Sequence, residues 1–282
     1  MNMWTTFFSL PYPNIDPVFL RVGPLQFRWY GLMYLLGLMA AYFVIKGRAK
    51  QRGIPLTKEQ LYDMIVYAAV GVFVGGRLGY TLFYNFSYYI QHPLKIVAVW
   101  EGGMAFHGGL LGVIVALWLF SKRRGIPAMA VADLAAGSVT IGLGFGRLGN
   151  FINGELYGRV TDVPWCMVFP TNGPECRHPS QLYEAALEGV LLFTVLALIN
   201  RLKPPNGTVF WSFITGYGLC RMVVEFFREP DAHIGFIFGQ MSMGQVLSVP
   251  MILIGATMLA LTLRAKPAPV PSKRASSTRP SV

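Results

Sequence analysis

The chain has 282 residues, 54% of them hydrophobic and only 13% charged, with a formal net charge of +11. A soluble domain carries roughly a quarter charged residues, so this composition excludes an ordinary soluble enzyme. The basic excess that would point to nucleic acid in a soluble chain here follows the membrane, and no nucleic-acid partner is expected.

Apolar residues gather in runs of about twenty, the length that crosses roughly 30 Å of hydrocarbon as a helix. The fold class expected is an all-α polytopic membrane protein with about seven transmembrane helices. The first residues lack a basic segment and no short apolar region ends in a small-residue cleavage site, so no cleaved signal peptide is expected. In chain order the predicted spans cover 26–46, 60–83, 97–120, 129–150, 181–200, 208–227 and 243–264.

The connections between them carry charge unequally. Lys46, Arg48, Lys50, Arg52 and Lys58 follow span one, Lys122, Arg123 and Arg124 follow span three, and Arg201 and Lys203 follow span five. With Arg264, Lys266, Lys273, Arg274 and Arg279 of the tail, these are fifteen of the 24 basic residues, all on one side. The positive-inside rule then places the N-terminus outside and the C-terminus in the cytoplasm. Residues 151–180 form the largest outer insert and contain Cys166 and Cys176, which an oxidising compartment would permit to pair. Residues 1–265 are expected to form the membrane-embedded bundle, and 266–282, rich in Pro, Ser and Lys, a disordered basic tail.

This topology sorts the intramembrane polar residues by depth. Tyr30, Arg77, Glu101, His107, Arg147, Asn150, Gln181, Tyr183, Glu184, Arg221, Glu225 and Arg228 all fall in the outer half. Asp63 and Asp133 lie in the inner half near helix N-termini, where the macrodipole favours an anion, and are read as structural. Glu188 lies deeper than the outer group and receives no role. Charges inside spans are costly unless they have a partner or a task, so their convergence points to an outward-facing site.

The densest stretch is Gly144 to Arg159, with five glycines, Arg147, Asn150, Asn153 and Glu155. A guanidinium binds phosphate bidentately, so Arg147 is the first candidate anion ligand; its plain alternative is snorkelling to the interface. The glycines let backbone approach backbone, or a ligand, without a Cβ in the way, and are expected to let the helix end turn into the outer insert. Arg221, Glu225 and Arg228 are spaced to share one helix face, with Glu225 orienting the arginines, or else form a self-neutralising packing network. His107, among Gly102, Gly103, Gly108, Gly109 and Gly112, suits a re-entrant or unwound piece; it serves as a base or as a hydrogen-bonding scaffold. Arg77 in Gly76-Arg77-Leu78-Gly79 echoes Gly146-Arg147-Leu148-Gly149, most simply through small-residue helix packing. The three cysteines fit no metal spacing, and no metal or cofactor is expected.

Four segments together resemble the bacterial prolipoprotein diacylglyceryl transferases: Gly146 to Glu155, His107-Gly108-Gly109, Arg177-His178-Pro179-Ser180-Gln181-Leu182-Tyr183-Glu184, and Arg221 through Glu225, Arg228, Pro230 and Asp231. The likeness runs from about Tyr30 to Leu263. It implies an inner-membrane enzyme that moves the sn-1,2-diacylglyceryl group of phosphatidylglycerol onto the lipobox cysteine of preprolipoprotein signal peptides, leaving a thioether and glycerol phosphate. It implies Arg147 and Arg221 as the essential pair, with Tyr30, His107, Asn150, Glu155, Glu225 and Arg228 in support. It also implies an outer head built from the insert, arms from other outer segments, and a lateral opening to the bilayer.

Without that likeness two classes remain, a lipid-modifying transferase and a secondary transporter of a small anion, with a structural scaffold as a third. A secondary transporter of a small anion would place its coupling residues near the midplane in inverted repeats. A structural scaffold would not carry so many charges within its spans.

Overall fold

The computed structural model describes residues 10–98, 102–170, 173–230, 235–237 and 241–265. Glu101, Asp231 and the tail 266–282, each part of the sequence reading, lie outside the described residues.

A two-stranded ribbon, β1 (Val18–Val22) and β2 (Leu25–Arg28), leads into α1 (Trp29–Arg52). Then follow α2 (Lys58–Phe83), the short α3 (Phe86–Gln91), α4 (Phe106–Arg124) and α5 (Ala128–Asn153). A small hairpin, β3 (Met167–Val168) with β4 (Cys176–Arg177), precedes a rod made of α6 (Ser180–Glu184), a π-helical turn (Ala185–Leu191) and α7 (Leu192–Arg201). The chain ends with α8 (Thr208–Val224), the strand pair β5 (Phe236–Ile237) and β6 (Met241–Ser242), and α9 (Met243–Arg264).

Among the described residues, five helices are long and apolar enough to cross a membrane: α1, α2, α5, the α6–α7 rod and α9. Helix α8 is apolar but shorter. Their outer faces carry large exposed side chains such as Phe73 (59%) and Leu253 (63%), which a water-soluble bundle could not leave uncovered. The chain is a multi-pass membrane protein.

Small residues set the helix contacts. A Cβ at Gly71, Gly75 or Gly79 would strike the backbone of α4 near Gly108 and Gly112, so α2 and α4 touch backbone to backbone. At the C-terminal ends of α1 and α4, a second polar belt closes the bundle. Asp133 of α5 accepts from the Gly207 and Phe210 amides at 2.8 Å, capping α8 rather than its own helix, and pairs with Arg52 at 3.0 Å. Asp63 pairs with Arg124 across α2 and α4. Both acids are structural, as expected.

Three expected boundaries need correction. The span predicted at 97–120 becomes helical only at Phe106, because Pro93–Val97 is a 3-10 turn and Gly102 and Gly103 take φ of 84° and 80°. Helix α5 continues through the glycine-rich stretch to Asn153, and only Gly154, at φ 66°, breaks it. Gly144 and Gly149 are helical and serve close packing, so the turn into the insert depends on one glycine. Helix α8 stops at Val224, although Glu225 and Arg228 still donate backbone hydrogen bonds to Arg221 and Val224 at 3.0 Å.

Arg77 has a structural task. Buried at 4% exposure, it donates to the carbonyls of Ile96 (2.8 Å), Gly103 (3.1 Å), Lys95 (2.5 Å), Ala98 (3.0 Å) and Gly102, and its guanidinium lies over the Tyr89 ring. It ties the α3–α4 connection to α2. Arg77→Met is expected to cost about 3 kcal/mol, since several buried carbonyls lose their donor together. A melting temperature in detergent within a degree of the parent would contradict that role.

Candidate functional site

The helix run alternates in direction, so the start of α1, the end of α5, the start of the α6–α7 rod, the end of α8 and the start of α9 meet at one end of the bundle. The insert packs over that end. Cys166 and Cys176 form a disulfide, a pairing the sequence left open, and Phe151, Met167 and Phe169 build a small core with Tyr12, Tyr157 and Leu182 beneath it. Tyr12 donates to the Phe151 carbonyl at 2.6 Å, which anchors the insert to the end of α5, and burial raises its phenol above the ordinary tyrosine range. Arg159 donates to the carbonyls of Arg228 (2.9 Å) and Glu225 (3.0 Å), so the insert also grips the end of α8.

Under this cover lie three arginines and three glutamates. Arg147 Nε sits 2.5 Å from Glu184 Oε2 and 4.0 Å from the nearer oxygen of Glu188. Arg221 donates to the same Glu184 oxygen at 3.1 Å, lies 3.8 Å from Glu188, and pairs with Glu225. Arg228 approaches Glu225 at 3.5 Å and Glu184 at 4.0 Å. Glu184 and Glu188 are completely buried, whereas the side chains of Arg147 and Arg221 keep 19% and 13% exposure. The carboxylates therefore form a floor, and the guanidiniums above it retain an open face.

Local structure explains the convergence. Gly189 on the π turn meets Gly144 on α5, where a Cβ would lie 2.9 Å from the opposing Cα. That close approach sets Glu184 and Glu188 directly against Arg147. The wide π turn occurs at the point where both acids must face inward, a common placement of such turns. Among the described residues, no hydrogen-bond donor reaches either oxygen of Glu188.

The remaining expected residues surround Arg147. Asn150, one turn on, donates to Glu155 Oε1 at 2.9 Å, and Asn153 does so at 3.2 Å. Gln181 donates to the Glu155 carbonyl at 2.7 Å. Tyr30 packs its ring against Gly149, within electrostatic range of Arg147 and Glu155, and its hydroxyl lies 3.4 Å from that of Tyr34. The pairing expected between Glu225 and both Arg221 and Arg228 is present. His107 stands apart: it is exposed in the first turn of α4, packed against Phe106, and among the described residues makes no hydrogen bond or ion pair.

Glu188 receives no role from the sequence, and Glu184 stands there only as one of the outer polar residues. The available signal was their spacing of four in an apolar span, where two acids demand cationic partners. At the outer end of the same segment, His178 contacts Tyr183 and Phe227, and burial lowers its imidazole below the usual range, so it is a neutral packing residue near pH 7.

Two guanidiniums on a shared carboxylate floor, open on one side and roofed by an insert, can receive an anionic group arriving from the bilayer. Because each fork is already aimed by a buried acid, little reorganisation is needed when negative charge develops above it.

The sequence profile of the family described as prolipoprotein diacylglyceryl transferase matches residues 17–261. A phosphatidylglycerol–prolipoprotein diacylglyceryl transferase of Geobacter sulfurreducens is 58% identical over 260 residues, covering 92% of this chain and 100% of that protein. Proteins of the same name from Vibrio vulnificus and Pseudomonas aeruginosa are 55% and 53% identical, covering 89% and 90% of this chain and 93% and 96% of theirs.

Proposed function

The chain belongs to the prolipoprotein diacylglyceryl transferase family, and from that premise we infer that it transfers the diacylglyceryl group of phosphatidylglycerol to a prolipoprotein. In this reading the acceptor is the lipobox cysteine of a preprolipoprotein signal peptide. The cysteine sulfur attacks the glycerol carbon that bears the phosphate ester, a thioether C–S bond forms, and the C–O bond breaks. The electron pair leaves with the oxygen of glycerol phosphate, and the thiol proton is lost because only the thiolate is a competent nucleophile.

One observation carries this assignment of roles: Arg147 and Arg221 share the buried Glu184 while keeping open faces at one end of the bundle. A phosphodiester held above them gains negative charge as its C–O bond breaks, and both forks are already directed at that charge. Asn150 holds Glu155 beside Arg147, and Tyr30 closes the site from α1. Glu225 and Arg228 act behind Arg221. His107 as base would meet a thiol delivered from the exposed side of α4, where it stands without a hydrogen bond or ion pair among the described residues.

We read all seven helical rods as crossing a bacterial inner membrane, with the N-terminus and the site outside. The basic connections on the opposite side support that orientation. Residues 1–265 would then be the membrane-embedded unit, with 151–180 its outer head.

The test is reconstitution of the folded protein in phosphatidylglycerol vesicles with a lipobox peptide. Thioether-linked peptide and glycerol phosphate are expected in equal amounts. Absence of both from a folded preparation would end the enzyme reading, and uptake of a small anion in their place would favour a transporter.

A further inference from the structure

Glu225 is 1% exposed, and part of what holds it is on another helix. Ser242, itself 2% exposed, donates its hydroxyl hydrogen to Glu225 Oε2 at 2.6 Å. Ser242 Oγ itself accepts from the Gln245 amide at 3.2 Å, and Gln245 Oε1 accepts from the Ser242 amide at 3.1 Å, a reciprocal cap on α9. A hydroxyl has one hydrogen and two lone pairs, so capping uses a lone pair and leaves the hydrogen for the carboxylate.

Two residues on, a Cβ at Gly244 would fall on the Glu225 carboxylate, within 2.9 Å of its Cγ. The first turn of α9 is thus a cradle, with its positive dipole end at the acid. Its depth is set by the packing of α9 on α8, where Gly218 faces Met251 and Ile252 and Gly255 faces Thr215. Ser248 donates to the Gly244 carbonyl at 2.7 Å and ties that residue into the helix. The other oxygen of Glu225 receives Arg221 and, at 3.5 Å, Arg228.

We propose that Ser242 and Gly244 are positioning residues for the transfer reaction, fixing the Glu225 carboxylate and through it the fork of Arg221. The proposal rests on the transferase reading. Without the serine hydrogen, Glu225 keeps, among the described residues, only its guanidinium partners and turns to follow them. With a methyl at position 244 the carboxylate must leave the cradle. In either case Arg221 loses its alignment with Arg147 across Glu184.

The experiment measures kcat and KM for a lipobox peptide in phosphatidylglycerol vesicles, for Ser242→Gly, Ser242→Thr, Gly244→Ala, Glu225→Gln and the Ser242→Gly/Glu225→Gln double variant. Glycine caps a helix nearly as well as serine, so Ser242→Gly removes the donor and largely spares the cap. Its kcat is expected to fall about tenfold, as for a lost hydrogen bond to a charged group, with KM unchanged. Ser242→Thr should restore most of that loss, and Gly244→Ala should fall about a hundredfold. The double variant should fall no further than Glu225→Gln alone, since both act through one carboxylate. Losses that multiply in the double variant, full kcat in Ser242→Gly, or a loss in Ser242→Thr equal to that in Ser242→Gly would overturn the proposal. An inactive parent protein would instead overturn the transferase reading.

Discussion

Arg147→Ala is expected to lower thioether formation by at least about a thousandfold while the protein stays folded. The upper part of the effect follows from losing a preorganised cation where negative charge develops, worth about 10²–10³ in rate on its own. The rest follows from the floor beneath. Glu184 and Glu188 are both fully buried, and Arg147 is one of the two cations nearest to them. Removing it leaves excess negative charge under the place where a phosphate must sit. Arg221 still pairs with Glu184 at 3.1 Å, and the helix contacts through Gly144 and Gly189 do not depend on the guanidinium, so the bundle survives. The measurement is product formation alongside circular dichroism and melting temperature in detergent. Retained turnover in a folded variant would remove Arg147 from the centre of the mechanism.

Arg221→Lys is expected to fail nearly as completely, with turnover down about a hundredfold or more despite the conserved charge. Arg221 uses one terminal nitrogen for Glu184 and the other for Glu225. A planar fork reaches two acids on different helices and still offers an edge to a phosphate, whereas an ammonium is a single point on a flexible stem. The lysine would settle on one acid and leave the other with one cation fewer, a costly change for a buried carboxylate. Near-normal turnover would demote Arg221 to a packing residue.

Much of the architecture was legible in the chain. Apolar runs of membrane length located the five long apolar helices found among the described residues, and the bias of lysines and arginines toward alternate connections gave an expected side for their ends. The polar residues at one end of the bundle followed from counting depth along antiparallel spans. Boundaries shifted where backbone chemistry intervened, as at Gly102 and Gly103 before α4, because a hydropathy pattern does not report φ.

The floor of the site was not legible. Glu184 was visible as an outer polar residue and Glu188 as an unexplained one, but neither could be joined to Arg147 from sequence. Their contact requires the rotation of the α6–α7 rod about its axis and the close approach of Gly144 to Gly189. Both are decided by packing between segments about forty residues apart.

Two copies of one tetrapeptide make the division clear. Gly-Arg-Leu-Gly occurs at 76–79 and at 146–149, each time on a long helix near the same end of the bundle. By itself the sequence determined that each arginine must find compensation there, because an unpaired guanidinium in apolar surroundings is too costly to keep. It could not say what the compensation would be. The tertiary structure gave Arg77 the carbonyls of a neighbouring connection, which consume its donors and make it a clamp. It gave Arg147 one buried carboxylate at contact distance and left an edge exposed, which makes it a site. The physical reason is that local sequence sets the charge and the depth of a side chain, while the groups that satisfy it belong to other helices.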